Sequence, residues 1–141
     1  MIRILFLILI IFNFKLVALE VTLTQGTVKP TPIAVSNFYS KNNDSSKIGK
    51  NISSVIADNL ERSGLFLPID NKAFIQNSES LFNKPRFEDW KVIKAQHLIS
   101  GNLTNNNNKI IVEFKLYDVF SQKQLMAKRY ETSEKNWRRV S

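Results

Sequence analysis

From Lys47 to Asp70 the apolar positions recur at a helical interval. Ile48, Ile52, Val55, Ile56 and Leu60 stand at i, i+4, i+7, i+8 and i+12 and form one stripe. Lys47, Lys50, Asn51, Asp58, Asn59 and Arg62 lie mostly on the other side. Ser45 or Ser46 is placed to accept a first-turn N–H as the N-cap, and Gly64 suits the left-handed position past the last turn. Leu65 or Phe66 then folds back on the stripe, and Pro68 bars further helix. Ile33 to Phe38 reads as a compact apolar strand and Phe66 to Ile69 as a short second one. Strand, helix and strand predict a parallel pair with a right-handed crossover.

Beyond Asp70 the pattern weakens and then sharpens. Ala73-Phe74-Ile75 is read as one turn and Ser78 to Lys84 as loop. Arg86 to Gln96 predicts a second short helix packing through Phe87, Trp90, Val92, Ile93 and Ala95. His97 to Leu103 is the next strand, ended by Asn105 to Asn108. Ile110 to Val119 alternates cleanly, with Ile110, Val112, Phe114 and Leu116 on one face and Ile111, Glu113, Lys115 and Tyr117 on the other. Ser121 to Lys123 turns the chain, and Gln124 to Thr132 returns as the third strand of an antiparallel meander. Ser133 is placed as the cap of a last helix, with Asn136 three residues on; it stops at Ser141 and reads as cut short.

The N-terminal part has a different grammar. Arg3 precedes an unbroken apolar run from Ile4 to Phe12, the length of a secretory h-region and short of the ~20 residues that span a bilayer. With Leu16-Val17-Ala18 before the boundary, residues 1–18 read as a signal peptide cleaved after Ala18, so the mature chain is expected to be exported without a stable membrane span. Residues 19–31 form an extended segment: Val21 and Leu23 alternate with Glu20, Thr22 and Thr24, and Lys29-Pro30-Thr31-Pro32 is a stiff connector. Such a strand docks on its own sheet, pairs with a partner's sheet edge, or frays. Residues 32–141 are the domain proper.

Composition narrows the function classes. The 141 residues make one domain of ordinary globular composition, 43% hydrophobic and 23% charged. With no cysteine there is no disulfide framework, thiolate metal site or thiol catalysis, and no lipoprotein attachment. The formal charge is +8, but the basic residues are scattered, densest at Lys128-Arg129 and Arg138-Arg139, unlike the one-faced footprint of a nucleic-acid binder. His97 is the sole histidine and sits in an apolar strand, where packing explains it better than catalysis. No His, Asp and Glu spacing fits a metal, and Gly26, Gly49, Gly64 and Gly101 form no phosphate loop. Glu88-Asp89 suits a helix start, and Glu131 and Glu134 have Arg129 and Lys135 beside them. Trp90 and Trp137 read as packing anchors in preference to a stacking platform. A non-enzyme without cofactors is expected.

Taken in order, these pieces resemble the amino-terminal domain of TolB, the periplasmic component of the Tol-Pal system. The resemblance rests on Glu20-Val21 after the export signal, Pro32-Ile33-Ala34-Val35 followed by Phe38, and Ile56-Ala57-Asp58-Asn59-Leu60 with Ser63-Gly64-Leu65-Phe66. It continues through Trp90, Ala95, Leu98-Ile99-Ser100-Gly101, Val112 to Asp118 and Lys135-Asn136-Trp137-Arg138. It implies an α/β (α+β) domain: a mixed sheet of about five strands with two main helices on one side, similar to a tRNA-synthetase anticodon-binding domain. It also implies that residues 19–31 engage the carboxy-terminal domain of TolA, with Glu20, Val21, Thr22, Leu23 and Thr24 as the contacts. In that family Pal is contacted by a β-propeller, which these 141 residues do not form. The sequence leaves two other readings standing, a remnant or split product of a TolB gene and a basic nucleic-acid-binding domain.

Overall fold

The computed structural model describes residues 29–41, 43–106 and 109–141. Five strands form one mixed sheet: β1 (Thr31–Val35), β2 (Phe66–Pro68), β3 (His97–Asn106), β4 (Lys109–Asp118) and β5 (Lys123–Ser133). Their order is β2-β1-β3-β4-β5. β1 runs parallel to both β2 and β3, and β3, β4 and β5 are the expected antiparallel meander. α1 (Asn43–Arg62) joins β1 to β2, and α2 (Ser78–Asn83) and α3 (Phe87–Val92) lie between β2 and β3.

Alternation along the strands divides the core in two. Ile33 and Val35 of β1, Ile99 and Leu103 of β3, and Ile110 and Val112 of β4 face Ile48 and Ile52 of α1. Ala34, Leu98 and Tyr117 point the opposite way and pack with Leu81 of α2 and Trp90 of α3. The second helix therefore covers the other side of the sheet, not the side of α1. The reason is the parity of the strands: buried apolar residues stand on both sets of alternate positions, Ile33 and Val35 against Ala34 on β1 and Ile99 and Leu103 against Leu98 on β3, so each face needs its own cover.

Local chemistry explains most departures from the sequence reading. Residues 78–83 are helical, not loop, because the Asn77 side chain accepts the Ser80 N–H at 2.9 Å and Leu81 is wholly buried. The turn expected at residues 73–75 forms earlier, over Asn71–Ala73, where Asp70 accepts the Lys72 N–H. The second helix is shorter than residues 86–96: Lys94 has φ 61 and ends it. α1 starts ahead of Ser45, so Ser45 lies inside the helix, buried, and does not cap it. Residues 134–140 are 3₁₀ in geometry, interrupted at Asn136, and Ser133 makes no side-chain cap bond. Gly64 takes the left-handed conformation expected of it, φ 71.

Phe38 ties the layers together. It is only 2% exposed, held between α1 and β3, which face it with glycines. A Cβ at Gly49 would lie 2.3 Å from the Phe38 carbonyl oxygen, and one at Gly101 would lie 2.3 Å from its ring. Two backbone bonds hold the following residue on β3: Tyr39 N–H to Gly101 O at 2.9 Å and Leu103 N–H to Tyr39 O at 2.7 Å.

At the β4–β5 turn the Asp118 carboxylate accepts the Ser121 N–H at 2.8 Å, and that bond holds its pKa below the ordinary value. A lowered carboxylate stabilises the fold fully above its unfolded value, and the contribution fades as pH falls through the folded value. Acidification below about pH 4 is expected to weaken this turn. Asp118→Asn keeps an acceptor but does not titrate, so its thermal stability should decline less steeply with acid. Equal acid slopes for parent and variant would refute this role.

Candidate protein-interaction surface

The expected contact residues Glu20, Val21, Thr22, Leu23 and Thr24, and the boundary after Ala18, lie outside the described residues. Lys29 and Pro30 are exposed, and Thr31 donates its N–H to Leu65 O at 2.8 Å. Ile69 N–H to Ile33 O and Gln96 N–H to Pro32 O fix β1 on both sides. The connector thus leads from the surface into an inner strand whose position is set by bonds to two neighbours.

The candidate chemistry resolves into packing. His97 opens β3 opposite Asp118 and meets the Phe66 ring edge-on at 6.3 Å. Its Nδ1 is buried without a hydrogen-bond partner. Among the described residues no group of three or more His, Asp and Glu side chains is placed to hold a metal ion. Trp90 is only 1% exposed, meeting Phe74 at 5.0 Å and giving its indole N–H to Gln76 Oε1. Trp137 packs against the α1 side of the core, with the Arg138 guanidinium 5.4 Å from its ring. It also lines a cleft of about 550 Å³ with Ile48, Ser133, Glu134 and Lys135. Both tryptophans are anchors, as expected from the sequence.

Two surface features escaped the sequence reading. Tyr39 O–H donates to Glu79 Oε1 at 2.9 Å, across forty residues of chain, and this bond raises the phenol pKa. The pair lines a shallow polar cleft of about 500 Å³ with Asn83, Asn102 and Asn105. No signal pointed there, because Glu79 sits in the stretch read as loop. The second feature is β5, whose residues Lys123 to Glu131 are all exposed although the strand carries Leu125, Met126 and Tyr130. Next to it, Lys109 pairs with Glu131 at 2.6 Å and Arg129 with Glu113 at 3.7 Å. These features suit recognition of another polypeptide: an open strand, exposed apolar side chains and mixed charge.

Comparison with known proteins places the chain in a family. A family model described as the TolB amino-terminal domain matches residues 19–125. The chain belongs to this family. The Tol-Pal system protein TolB of Pelagibacter ubique (strain HTCC1062) is 43% identical over 150 residues, covering 99% of this chain and 34% of that protein. The TolB of Paramagnetospirillum magneticum (strain ATCC 700264 / AMB-1) is 42% identical over 123 residues, 86% of this chain and 28% of that protein. The chain thus spans about a third of the length of these TolB relatives. The crystal structure of TolB from Acinetobacter baumannii shares the fold, with TM-score 0.64 at 19% identity over 79% of this chain and 25% of that one. The TolB motifs read from the sequence take structural places: residues 56–60 end the apolar stripe of α1, Phe66 opens β2, and residues 98–101 and 112–118 lie in β3 and β4.

Proposed function

We propose that the chain serves the Tol-Pal system as a non-enzymatic interaction domain, held in the periplasm after removal of residues 1–18. Its extended segment, residues 19–31, is read as the binding element for a TolA-type carboxy-terminal domain, with Glu20, Val21, Thr22, Leu23 and Thr24 in contact. The observation that carries this reading is the TolB amino-terminal family match beginning at residue 19, where the alternating segment begins. In support, Lys29 and Pro30 are exposed, and the bonds to Leu65, Ile33 and Pro32 give the connector a fixed base. In strand addition the backbone pairs with a partner's sheet edge while alternate side chains enter its surface. Val21 and Leu23 would supply those side chains. Through that contact the domain would contribute to envelope integrity and to outer-membrane constriction at division; contact with Pal is not assigned to these residues.

The test is titration of a TolA-type carboxy-terminal domain with a peptide of residues 19–31. Saturable binding is expected in roughly the micromolar range. Val21→Asp with Leu23→Asp should abolish it. Silence of both the peptide and the full chain would refute the partner assignment.

A further inference from the structure

β5 is an outer strand of the sheet, eleven residues long. In an antiparallel pair alternate N–H and C=O groups point away from the partner strand, so β5 presents a row of them outward. A register shift at Leu116/Tyr117 interrupts its pairing near Leu125, and the regular part runs from Met126 to Ser133. We propose that this part pairs antiparallel with β5 of a second copy, about a two-fold axis through Tyr130, joining two five-stranded sheets into one.

The Arg129 and Glu131 pair argues for a second copy as partner and sets the register. With Tyr130 opposite Tyr130, Arg129 of one copy stands opposite Glu131 of the other, and the reverse holds by symmetry. Arg129 is already beside Glu113 and Glu131 beside Lys109 within each copy. One face of the joined sheet would therefore carry Glu113, Arg129, Glu131 of the second copy and Lys109 of the second copy in succession, alternating in sign across four strands, and would do so twice. On the other face Phe114 and Tyr130 stack with ring centroids 6.0 Å apart and planes 19° from parallel. The two-fold axis sets these two stacks end to end as a row of four rings. Shifting the axis to Arg129 or Lys128 puts like charges directly opposite, which is unfavourable. Arg129 and Glu131, two residues apart on one face, complement themselves under the two-fold, which a peptide of single sign does not do for both.

The chain has no cysteine, so an introduced one is its only thiol. Directly opposed Cα atoms in such a pair lie roughly 5 Å apart, within disulfide reach. Oxidation of the full chain carrying Tyr130→Cys should give a covalent dimer rapidly. Met126→Cys, whose symmetry mate would be roughly 27 Å away, should not. Sedimentation of the parent from about 5 to about 500 µM should show a reversible dimer, since self-association follows mass action. Arg129→Glu or Glu131→Arg alone should weaken it by roughly tenfold or more, and the two together should recover part of the loss, because the exchange restores the contact across the axis while setting like charges beside Glu113 and Lys109 within each copy. A parent that stays monomeric throughout, or a Met126 variant that links as fast as the Tyr130 variant, overturns the proposal. So does a double variant that associates no more tightly than either single variant. Because both charged positions are exposed, parent-like melting is expected of their variants and serves as the folding control.

Discussion

Gly101→Ala is expected to lower stability by about 3 kcal/mol, at the upper end of what overpacking a core costs. At an unconstrained strand position the same change relieves glycine's entropic penalty and stabilises by roughly 0.5–1 kcal/mol. Here the new Cβ would meet Cγ of Phe38 at 2.3 Å and both Cδ atoms at 2.4 Å. The ring cannot simply step aside, since the Phe38 carbonyl already lies where a Cβ of Gly49 on α1 would sit, and Tyr39 is bonded to β3 through both its backbone N–H and C=O. Phe38→Leu, which removes ring atoms, should cost about 2 kcal/mol by itself through the space it leaves. Combined with Gly101→Ala it should cost clearly less than the sum, because the smaller side chain vacates the place the methyl needs. Urea unfolding of the parent, the two single variants and the double variant measures this cycle. Parent-like stability of Gly101→Ala, or simple additivity, would show that Phe38 does not occupy that gap.

The same contact shows how far the sequence could be read. The stripe Ile48, Ile52, Ile56 and Leu60 dictated α1, because period and length leave no other regular structure, and the meander followed from alternation in residues 110–119. Gly49 and Gly101 were legible only as glycines that cradle no phosphate. Their partner is Phe38, and nothing local to either glycine points to it. α2 was missed for a related reason: its six residues bury one leucine and rely on Asn77 as cap, too little periodicity to outweigh the serines and asparagines around it. The placement of α3 opposite α1 is a property of strand parity, visible once Ala34, Leu98 and Tyr117 are seen to share a face. The candidate site divides likewise. The contact segment was named from its alternation and from the TolB resemblance, which the family match bears out. The open edge of β5 depends on strand order in the sheet, which periodicity does not encode.

Gln76→Leu is expected to be about as damaging as the glycine change, on polar grounds. Gln76 is 4% exposed, and its amide serves three partners. Oε1 accepts from the Arg86 N–H at 2.8 Å and from the Trp90 indole N–H at 3.2 Å; Nε2 donates to Lys84 O at 2.9 Å. Leucine fills a similar volume and leaves two donors and a carbonyl unpaired, at roughly 1–3 kcal/mol for each group that water cannot reach. A loss of about 3 kcal/mol is expected, with Trp90 emission altered because its indole N–H loses its acceptor. Gln76→Glu separates the lost hydrogen bonds from lost shape. As a carboxylate it still accepts from Arg86 and Trp90 but turns a lone pair toward Lys84 O, whereas as a neutral acid it can donate there. Burial and that carbonyl both raise its pKa in the folded state. A carboxyl group with a raised folded pKa stabilises below its unfolded value and loses that stabilisation as pH rises through the folded one. The Gln76→Glu variant should therefore approach the parent as pH falls from 7 toward 5, opposite in sign to the effect of Asp118. Melting curves across that range decide it: a constant gap between variant and parent would mean that the three hydrogen bonds do not hold α3 in place.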